Sequence, residues 1–304
     1  MNEKNKFLNI VDVGCKFGIH PSFLQYKTFS NFLMIDADPN EISYLKTRYK
    51  QSENLMFENF FVTKNSSPEE KHILNLYNHP GGHSKYSPEK ENPYWMIQRP
   101  DSGNVISSIE IPGITLDQLC NNHSFKSDFL KVDVEGAESE VLEGATKQLS
   151  EYVIGIRIEV LFNSLYENIA PTFGEIDEIL RRNDFFLLNL DFPGNAYAPF
   201  SRFRGQPPYG FLIGGDAVYV KNPKFLKDEC SVESLIKASL FALTNNATDL
   251  TIDLLEFSSS LQSYKDILSA FPEVRKELEK GVASYVFKNQ DLPGNSLDDF
   301  SDTW

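Results

Sequence analysis

Short apolar runs alternate along the chain with stretches whose apolar positions return every three to four residues, the mark of strands alternating with helices. Leu8, Ile10, Val11 and Val13 form the first run, which stops at Gly14, and a helix start follows at residues 21–26 behind Pro21. The second run, residues 32–36, closes on Asp36, and Ile42, Leu45 and Tyr49 share one face of a helix predicted over residues 39–49. A strand–helix–strand unit is thus complete early in the chain. A third strand is expected over 55–62, a polar turn over 64–70 and a pairing strand over 71–77. Further strands are expected at 105–111, 129–134, 152–160, 185–191 and 217–220. Helices are expected at 115–120, along Ala137, Val141, Leu142, Ala145 and Leu149, and at 173–182. Beyond Pro223 the pattern turns helical, at 231–243, 249–261 and 264–280, before an acidic, loosely patterned stretch after Asp291. This order predicts an α/β domain over 1–223 and a helical extension over 224–304. The apolar faces of that extension, carried by Leu235, Leu240, Leu243, Leu254 and Leu255, must be buried against something: as a lid, a homodimer interface or a docking surface.

Candidate chemistry gathers where strands end. The strand over 129–134 delivers Asp133 and Glu135 into the turn that starts a helix, and open α/β sheets bind ligands beyond the carboxyl ends of their strands. Function outweighs mere helix capping for Asp133 on that ground. Two tracts are too long to be idle connections and read as substrate-facing loops: 78–104, with His79, His83, Tyr86, Trp95 and Arg99, and 192–215, rich in glycine, proline and aromatics.

Composition narrows the partners. A net charge of −14 over 304 residues argues against nucleic acid, whose binding draws on lysine and arginine. No run approaches the roughly 18 apolar residues of a membrane span. The start leads into a core-like strand without an apolar signal segment. Cys15, Cys120 and Cys230 are scattered, signalling neither a disulfide framework nor a zinc cluster, so a cytoplasmic protein is the expectation.

The glycine turn speaks to the cofactor. Val11-Asp12-Val13-Gly14-Cys15-Lys16-Phe17-Gly18 ends the first strand, and Asp36 ends the second. A dinucleotide needs Gly-x-Gly-x-x-Gly, and Lys16 and Ile19 stand where its second and third glycines belong. S-adenosylmethionine asks for less: a close-approach turn, an acid for the ribose hydroxyls and a surface for adenine. Taken with Ile35-Asp36-Ala37-Asp38-Pro39-Asn40, Ile114-Thr115-Leu116-Asp117 and Lys131-Val132-Asp133-Val134-Glu135-Gly136-Ala137-Glu138, the chain resembles the FkbM family of S-adenosylmethionine-dependent methyltransferases over approximately residues 7–222. The resemblance implies a Rossmann-like class I methyltransferase fold: a seven-stranded, mostly parallel sheet with helices on both faces and an antiparallel last strand. It also implies methyl transfer, usually to an oxygen of a sugar, glycan or other small metabolite. Carried over by position, Asp12, Gly14, Cys15 and Gly18 form the methionine-side loop, Asp36 holds the ribose, and Asp38, Phe60 and Phe61 lie near the adenine. One departure is that Cys15 and Lys16 replace the alanine and asparagine common in the family; Lys16 can pair with the cofactor carboxylate.

Methylating a hydroxyl calls for alignment and for removal of a proton. Asp133 is expected to orient or deprotonate the acceptor with Glu135 assisting; a divalent metal at Asp133 stays open, although no metal-ligand spacing signals one. His83 is the alternative base, since its ordinary pKa lies near neutrality. His20 reads as structural or as a neighbour of the cofactor. Arg202 and Arg204 suit an anionic acceptor, and Tyr94, Trp95 and Tyr197 either stack on a sugar ring or anchor their loops. Two other readings compete: a methyltransferase-like scaffold that has lost catalysis, motivated by Lys16 and the helical extension, and a nicotinamide-dependent oxidoreductase, opposed by the broken glycine fingerprint.

Overall fold

The β-branched runs that end at Gly14, Asp36 and Asp133 become neighbouring parallel strands. A computed structural model describes residues 6–65, 70–193, 196–201 and 210–288. In chain order it contains β1 (Leu8–Val13), β2 (Ser30–Asp36), α1 (Pro39–Arg48), β3 (Leu55–Asn59), β4 (Phe61–Val62), β5 (Lys71–Tyr77) and β6 (Val105–Ile114). Then come α2 (Leu116–Asn122), β7 (Phe129–Val132), α3 (Glu138–Glu143), α4 (Thr146–Glu151), β8 (Gly155–Leu161), α5 (Phe173–Arg182) and β9 (Phe185–Asp191). The short strands β10 (Tyr197–Ala198) and β11 (Phe211–Leu212) precede β12 (Gly214–Lys221). Helices α6 (Pro223–Glu229), α7 (Val232–Thr244), α8 (Thr248–Ser259), α9 (Tyr264–Ala270) and α10 (Pro272–Lys288) complete the described chain. The main sheet, seven strands among the described residues, runs β3-β2-β1-β7-β8-β12-β9. Pairs within β3-β2-β1-β7-β8 are parallel, and β12 runs antiparallel to both β8 and β9. A smaller sheet, β4-β6-β5, stands beside it.

Alternation along the strands sorts side chains to two faces. Val11, Val13, Leu130, Val132, Ile156 and Ile158 point to one face, where they meet Leu119 of α2, Val141 and Leu142 of α3, Leu149 of α4 and Ile176 and Leu180 of α5. Leu8, Ile10, Phe32, Met34 and Phe129 point to the other, where they share a cluster with Leu235, Ile236, Leu240 and Phe241 of α7, Leu254 and Leu255 of α8, Tyr264 of α9 and Leu278 of α10. The helices of the C-terminal extension therefore cover the second face of the sheet. Gly155 marks how closely α7 approaches, since a Cβ there would come 2.4 Å from the Phe241 ring.

Several boundaries differ from the sequence expectation, each for a local reason. The strand expected over 55–62 divides at Phe60, because β3 follows β2 while β4 leaves to pair with β6. The helix expected beyond Ala137 divides into α3 and α4 at Gly144, which lies so near Thr63 that a Cβ would come 2.3 Å from its carbonyl oxygen. Asp117 caps α4 from a distance, accepting from Lys147 N at 2.8 Å and Gln148 N at 2.9 Å. Pro272 restarts the helix expected over 264–280, and α6 was not expected. Residues 66–69 of the expected polar turn, Arg202, Arg204 and the stretch after Asp291 lie outside the described residues.

Candidate active site

Sheet register lines up the chemistry. Val13 lies opposite both Ile35 and Val132, Val132 opposite Ile158, Asp36 opposite Asn59 and Glu159 opposite Asp216. Asp36, Gly14, Asp133, Glu159 and Asp216 consequently succeed one another along one edge of the sheet, where its parallel strands end. The turn after β1 is tight: Gly14 has φ 78, and a Cβ on it would come 1.8 Å from the Asp133 carbonyl oxygen. Neither the conformation nor the space admits a side chain comfortably.

Three connected cavities follow that edge. On one side the Asp36 carboxylate is flanked by Ile35, Ala37, Phe60, Phe61, Val62 and Leu74, the apolar end of a slot whose other lining includes Lys16, His83, Asp133 and Glu135. Burial pushes the Asp36 carboxyl up to about 6. A second cavity is bounded by Asp12, Gly14, Gly18, His20, Lys131 and Asp133. The third, across β8 and β12, is bounded by Tyr94, Trp95, Arg99, Glu135, Glu159 and Asp216. Glu135 lines both the first and the third, and Gly81 borders all three.

The turn after β7 is built to present Glu135. Its backbone is left-handed at φ 57, with Gly136 following at φ 103, a conformation that persists where its surroundings enforce it. Glu138, fully buried at the start of α3, folds back so that Oε1 accepts from Val134 N at 2.9 Å and Gly136 N at 3.1 Å. Tyr166 donates its hydroxyl to Glu135 Oε2 at 2.7 Å, and Ser84 donates to the Glu135 carbonyl at 2.7 Å. Withdrawal from water, then the charge of Asp133, pushes the Glu135 carboxyl up to about 8, and burial pushes Glu138 up to about 7.

Lys131 occupies the centre. It donates to the Gly14 carbonyl at 2.6 Å and pairs with Asp12 at 3.2 Å and Asp133 at 3.5 Å. Burial works against its charge, but Asp12 and Asp133 outweigh that and hold its pKa above the ordinary value. In the adjoining strand Arg157 pairs with Asp191 at 2.5 Å and Asp216 at 2.8 Å and donates to Asn245 Oδ1 at 3.3 Å, tying the end of α7 to the site.

The remaining expected residues divide into those that line the cavities and those that hold the walls. Phe60 and Phe61 line the apolar slot. Cys15 belongs to the loop, but its thiol is buried in the core, where burial raises its pKa well above the ordinary value. Lys16 lines the first and second cavities and pairs with Asp38 at 2.9 Å and Glu41 at 3.7 Å. Asp38 also caps α1, accepting from Asn40 N at 2.9 Å; burial alone would raise its pKa, but Lys16 holds it below the ordinary value. His83 accepts the Tyr77 N–H at Nδ1, 3.1 Å, and turns Nε2 toward Asp38 at 3.6 Å; burial and Lys16 lower its pKa. His20 caps the turn at Pro21–Tyr26, its Nδ1 accepting from Ser22 N at 3.3 Å. Within the 78–104 loop, Lys85 and Tyr86 bind Glu140 at 2.6 and 3.0 Å, and Trp95 donates to the Leu165 carbonyl at 2.7 Å. Trp95 thereby anchors its loop, with Tyr94 edge-on at 4.7 Å, while Tyr197 packs on Phe192 at 6.5 Å.

Sequence reasoning missed Lys131, Arg157, Glu159 and Asp216 as site residues. A signal existed: Arg157 and Glu159 recur at period two in an otherwise apolar strand, as do Lys131 and Asp133. A charge repeated on one face of a buried strand needs partners.

Comparison with known proteins adds a family. The model of the methyltransferase FkbM domain matches residues 12–187, more than half of the chain. No curated protein matches significantly. A solved FkbM methyltransferase from Methylobacillus flagellatus KT shares 16% identity at a TM-score of 0.42, covering 70% of this chain and 43% of that one. The chain thus spans less than half the length of that protein. The fibrillarin pre-rRNA processing protein of Methanococcus jannaschii shares 14% identity at a TM-score of 0.38, over 73% of this chain and 70% of its own. A TehB-like SAM-dependent methyltransferase from Corynebacterium glutamicum shares 16% at 0.34, over 71% and 82%.

Proposed function

Because the chain belongs to the FkbM methyltransferase family, we propose that it transfers a methyl group from S-adenosylmethionine to a hydroxyl of a sugar, a glycan or another small polyhydroxylated metabolite. The observation that carries this reading is that a slot suited to the cofactor and a cleft suited to an acceptor meet at Glu135. The Asp36 carboxylate suits two vicinal ribose hydroxyls, the wall of Phe60, Phe61 and Leu74 suits a purine, and Gly14 lets the first turn pack directly on the Asp133 backbone while lining the crevice. Asp12, Asp36 and Asp133 make the crevice hospitable to a sulfonium cation and hostile to a pyrophosphate, which speaks against a nicotinamide dinucleotide.

When bound, the cofactor supplies an electrophilic methyl group, so the protein's part is to orient the acceptor oxygen, keep water away and take up a proton. Glu135 borders the acceptor cleft and Asp133 lies beside it, so these two orient and deprotonate the hydroxyl. His83, whose Nδ1 already accepts from Tyr77, positions Asp38 and the loop instead. Glu159, Asp216, Tyr94 and Trp95 give the cleft hydrogen-bond acceptors and ring edges that suit a hydroxyl-rich molecule. Neither feature that favoured a scaffold without catalysis keeps its force, since Lys16 neutralises Asp38 and Glu41 and the extension forms a layer of the sheet. No described helix is long and apolar enough to cross a membrane. The free thiols of Cys15, Cys120 and Cys230 suit the cytoplasm, where we place the protein.

Calorimetry with S-adenosylmethionine, its demethylated product and NAD tests the cofactor, with binding of the first two and not the third expected. Labelled-methyl transfer to a panel of sugars and glycans then tests the acceptor class. A chain that binds neither adenosylated ligand contradicts the reading.

A further inference from the structure

We propose that Asp133, Glu135 and Glu159 together bind one divalent cation through oxygen, and that this ion holds the acceptor hydroxyl at the mouth of the cofactor crevice. The ion site stands on the geometry alone; its role toward the acceptor rests on the methyltransferase reading above. One oxygen from each of the three carboxylates lies within 4.8 Å of the other two. Oxygens bound to one ion at roughly 2.1–2.5 Å stand about 3–3.5 Å apart as neighbours and about 4.2–5 Å apart across it, so a small inward rotation of the side chains brings this set onto one ion.

A second observation points to a ligand. Glu159 Oε2 is shut off from solvent, and no hydrogen-bond donor reaches it among the described residues. An interior carboxylate oxygen without a partner is costly, and native structures meet such groups with a donor or an ion. The protein's own cations are committed elsewhere. Lys131 is held by the Gly14 carbonyl and Asp12, with Asp133 farther off at 3.5 Å. Arg157 is held by Asp191 and Asp216. Among the described residues, no lysine or arginine forms an ion pair with Glu135 or Glu159. Glu135 is delivered to the cluster from a left-handed backbone at φ 57, and Tyr166 fixes one of its oxygens.

The donor set selects the ion. Three carboxylates with no thiolate or imidazole favour a hard cation, Mg²⁺ or Mn²⁺, over zinc or copper. Three protein ligands leave about three positions of an octahedron for water and for the acceptor oxygen. The cluster faces the third cavity through Glu135 and Glu159, so those positions open toward the acceptor.

Mn²⁺ titrated into the full chain, with free Mn²⁺ followed by electron paramagnetic resonance, tests the site. The expected result is one Mn²⁺ per chain, displaced by excess Mg²⁺. Glu159→Gln should weaken binding at least tenfold, while Glu110→Gln, in an exposed pair with Lys71, leaves it unchanged. Absence of stoichiometric binding, or parental affinity in Glu159→Gln, overturns the proposal. Should that variant not fold, crystals of the parent soaked in Mn²⁺ decide: an anomalous peak in bonding distance of all three carboxylates supports the site, and a peak elsewhere or none overturns it. Calorimetry with S-adenosylmethionine runs in parallel. A chain that binds Mn²⁺ here but no S-adenosylmethionine loses the methyltransferase reading and keeps the ion site, and the reverse result removes the ion site alone.

Discussion

Asp36 is held against apolar walls at the end of β2, with the Asp38 N–H donating to its Oδ1 at 2.8 Å and its ordinary pKa raised to about 6 by burial. A carboxylate so placed accepts hydroxyl hydrogens strongly once ionised, because charge-assisted bonds in a dry site are worth about 1.5–3 kcal/mol. Asp36→Asn should therefore weaken S-adenosylmethionine binding by about ten- to a hundredfold at pH 7.5 while the chain still melts cooperatively; calorimetry alongside thermal melting checks it, and parental affinity would remove Asp36 from the ribose site. The acids here also set how stability follows pH. Asp36, Glu138 and Glu135 have carboxyls raised by folding to about 6, 7 and 8 from ordinary values of 3.8 and 4.5. The folded chain binds those protons more tightly than the unfolded one, so folding takes up protons between about pH 4 and 8 and stability falls as pH rises through that window. The ligand-free protein should melt at a lower temperature at pH 8.5 than at pH 6. Glu135→Gln, whose amide oxygen can still accept from Tyr166, should flatten that slope; equal slopes in the two proteins would contradict the assignment to Glu135. Asp36, Asp133 and Glu135 were legible in the sequence because each ends or follows an apolar run. The direction of Lys16 was not, because spacing places a residue on a loop without saying which acid its side chain reaches.

Helix α7 shows how an element can be legible while its packing is not. Its apolar positions announce a helix, and its N-terminus is marked by Ser231, which accepts from Ser234 N. Only the structure shows what the helix lies on: Phe241 against Gly155 and Phe129, and Lys237 reaching across to Asp128 at 3.0 Å. Asp128 is buried, and burial raises its pKa in spite of Lys237. Removing one partner of a buried pair strands the other, at a cost of about 3–5 kcal/mol, whereas neutralising both recovers part of the loss. Lys237→Ala should therefore lower the unfolding free energy by about 3 kcal/mol in urea denaturation, and the double change with Asp128→Asn should cost less than the single. Additive losses would mean the pair is not coupled. The strands ending at Gly14, Asp36 and Asp133 were read within two residues, since β-branched runs bounded by glycine and acids leave few alternatives, while those carrying Glu159 and Asp216 begin three residues from where they were expected. The divisions at Phe60 and Gly144 escaped, because each is set by a distant neighbour: β6 for the first, Thr63 for the second.

Taken whole, the molecule is three layers, and the third is the part the sequence left unassigned. Amphipathic helices declare that one face must be covered without naming the cover, so a lid, a dimer interface and a docking surface were equally consistent with residues 231–280. The sheet answers, since Leu235, Leu240, Leu254 and Leu255 join Leu8, Ile10, Phe32 and Phe129 in one buried cluster. The family match ends at residue 187, short of these helices, yet they cover strands β1, β2 and β7, whose ends form the crevice. Arg157 ties the two together, through Asn245 at the end of α7 on one side and Asp216 of the acceptor cleft on the other. Deleting residues 226–304 would expose a sheet face of leucine, isoleucine and phenylalanine, at about 25 cal/mol for each Å² of apolar surface returned to water. Such a chain should not survive as a folded monomer: it should collect in aggregates on expression, and any soluble fraction should lack cooperative melting by circular dichroism and sediment as large species. A truncated chain that sediments as a monomer and melts at the parental temperature would show the layer to be dispensable. One that folds but no longer binds S-adenosylmethionine would instead show that the layer holds the strand ends in register for the site rather than holding the sheet together.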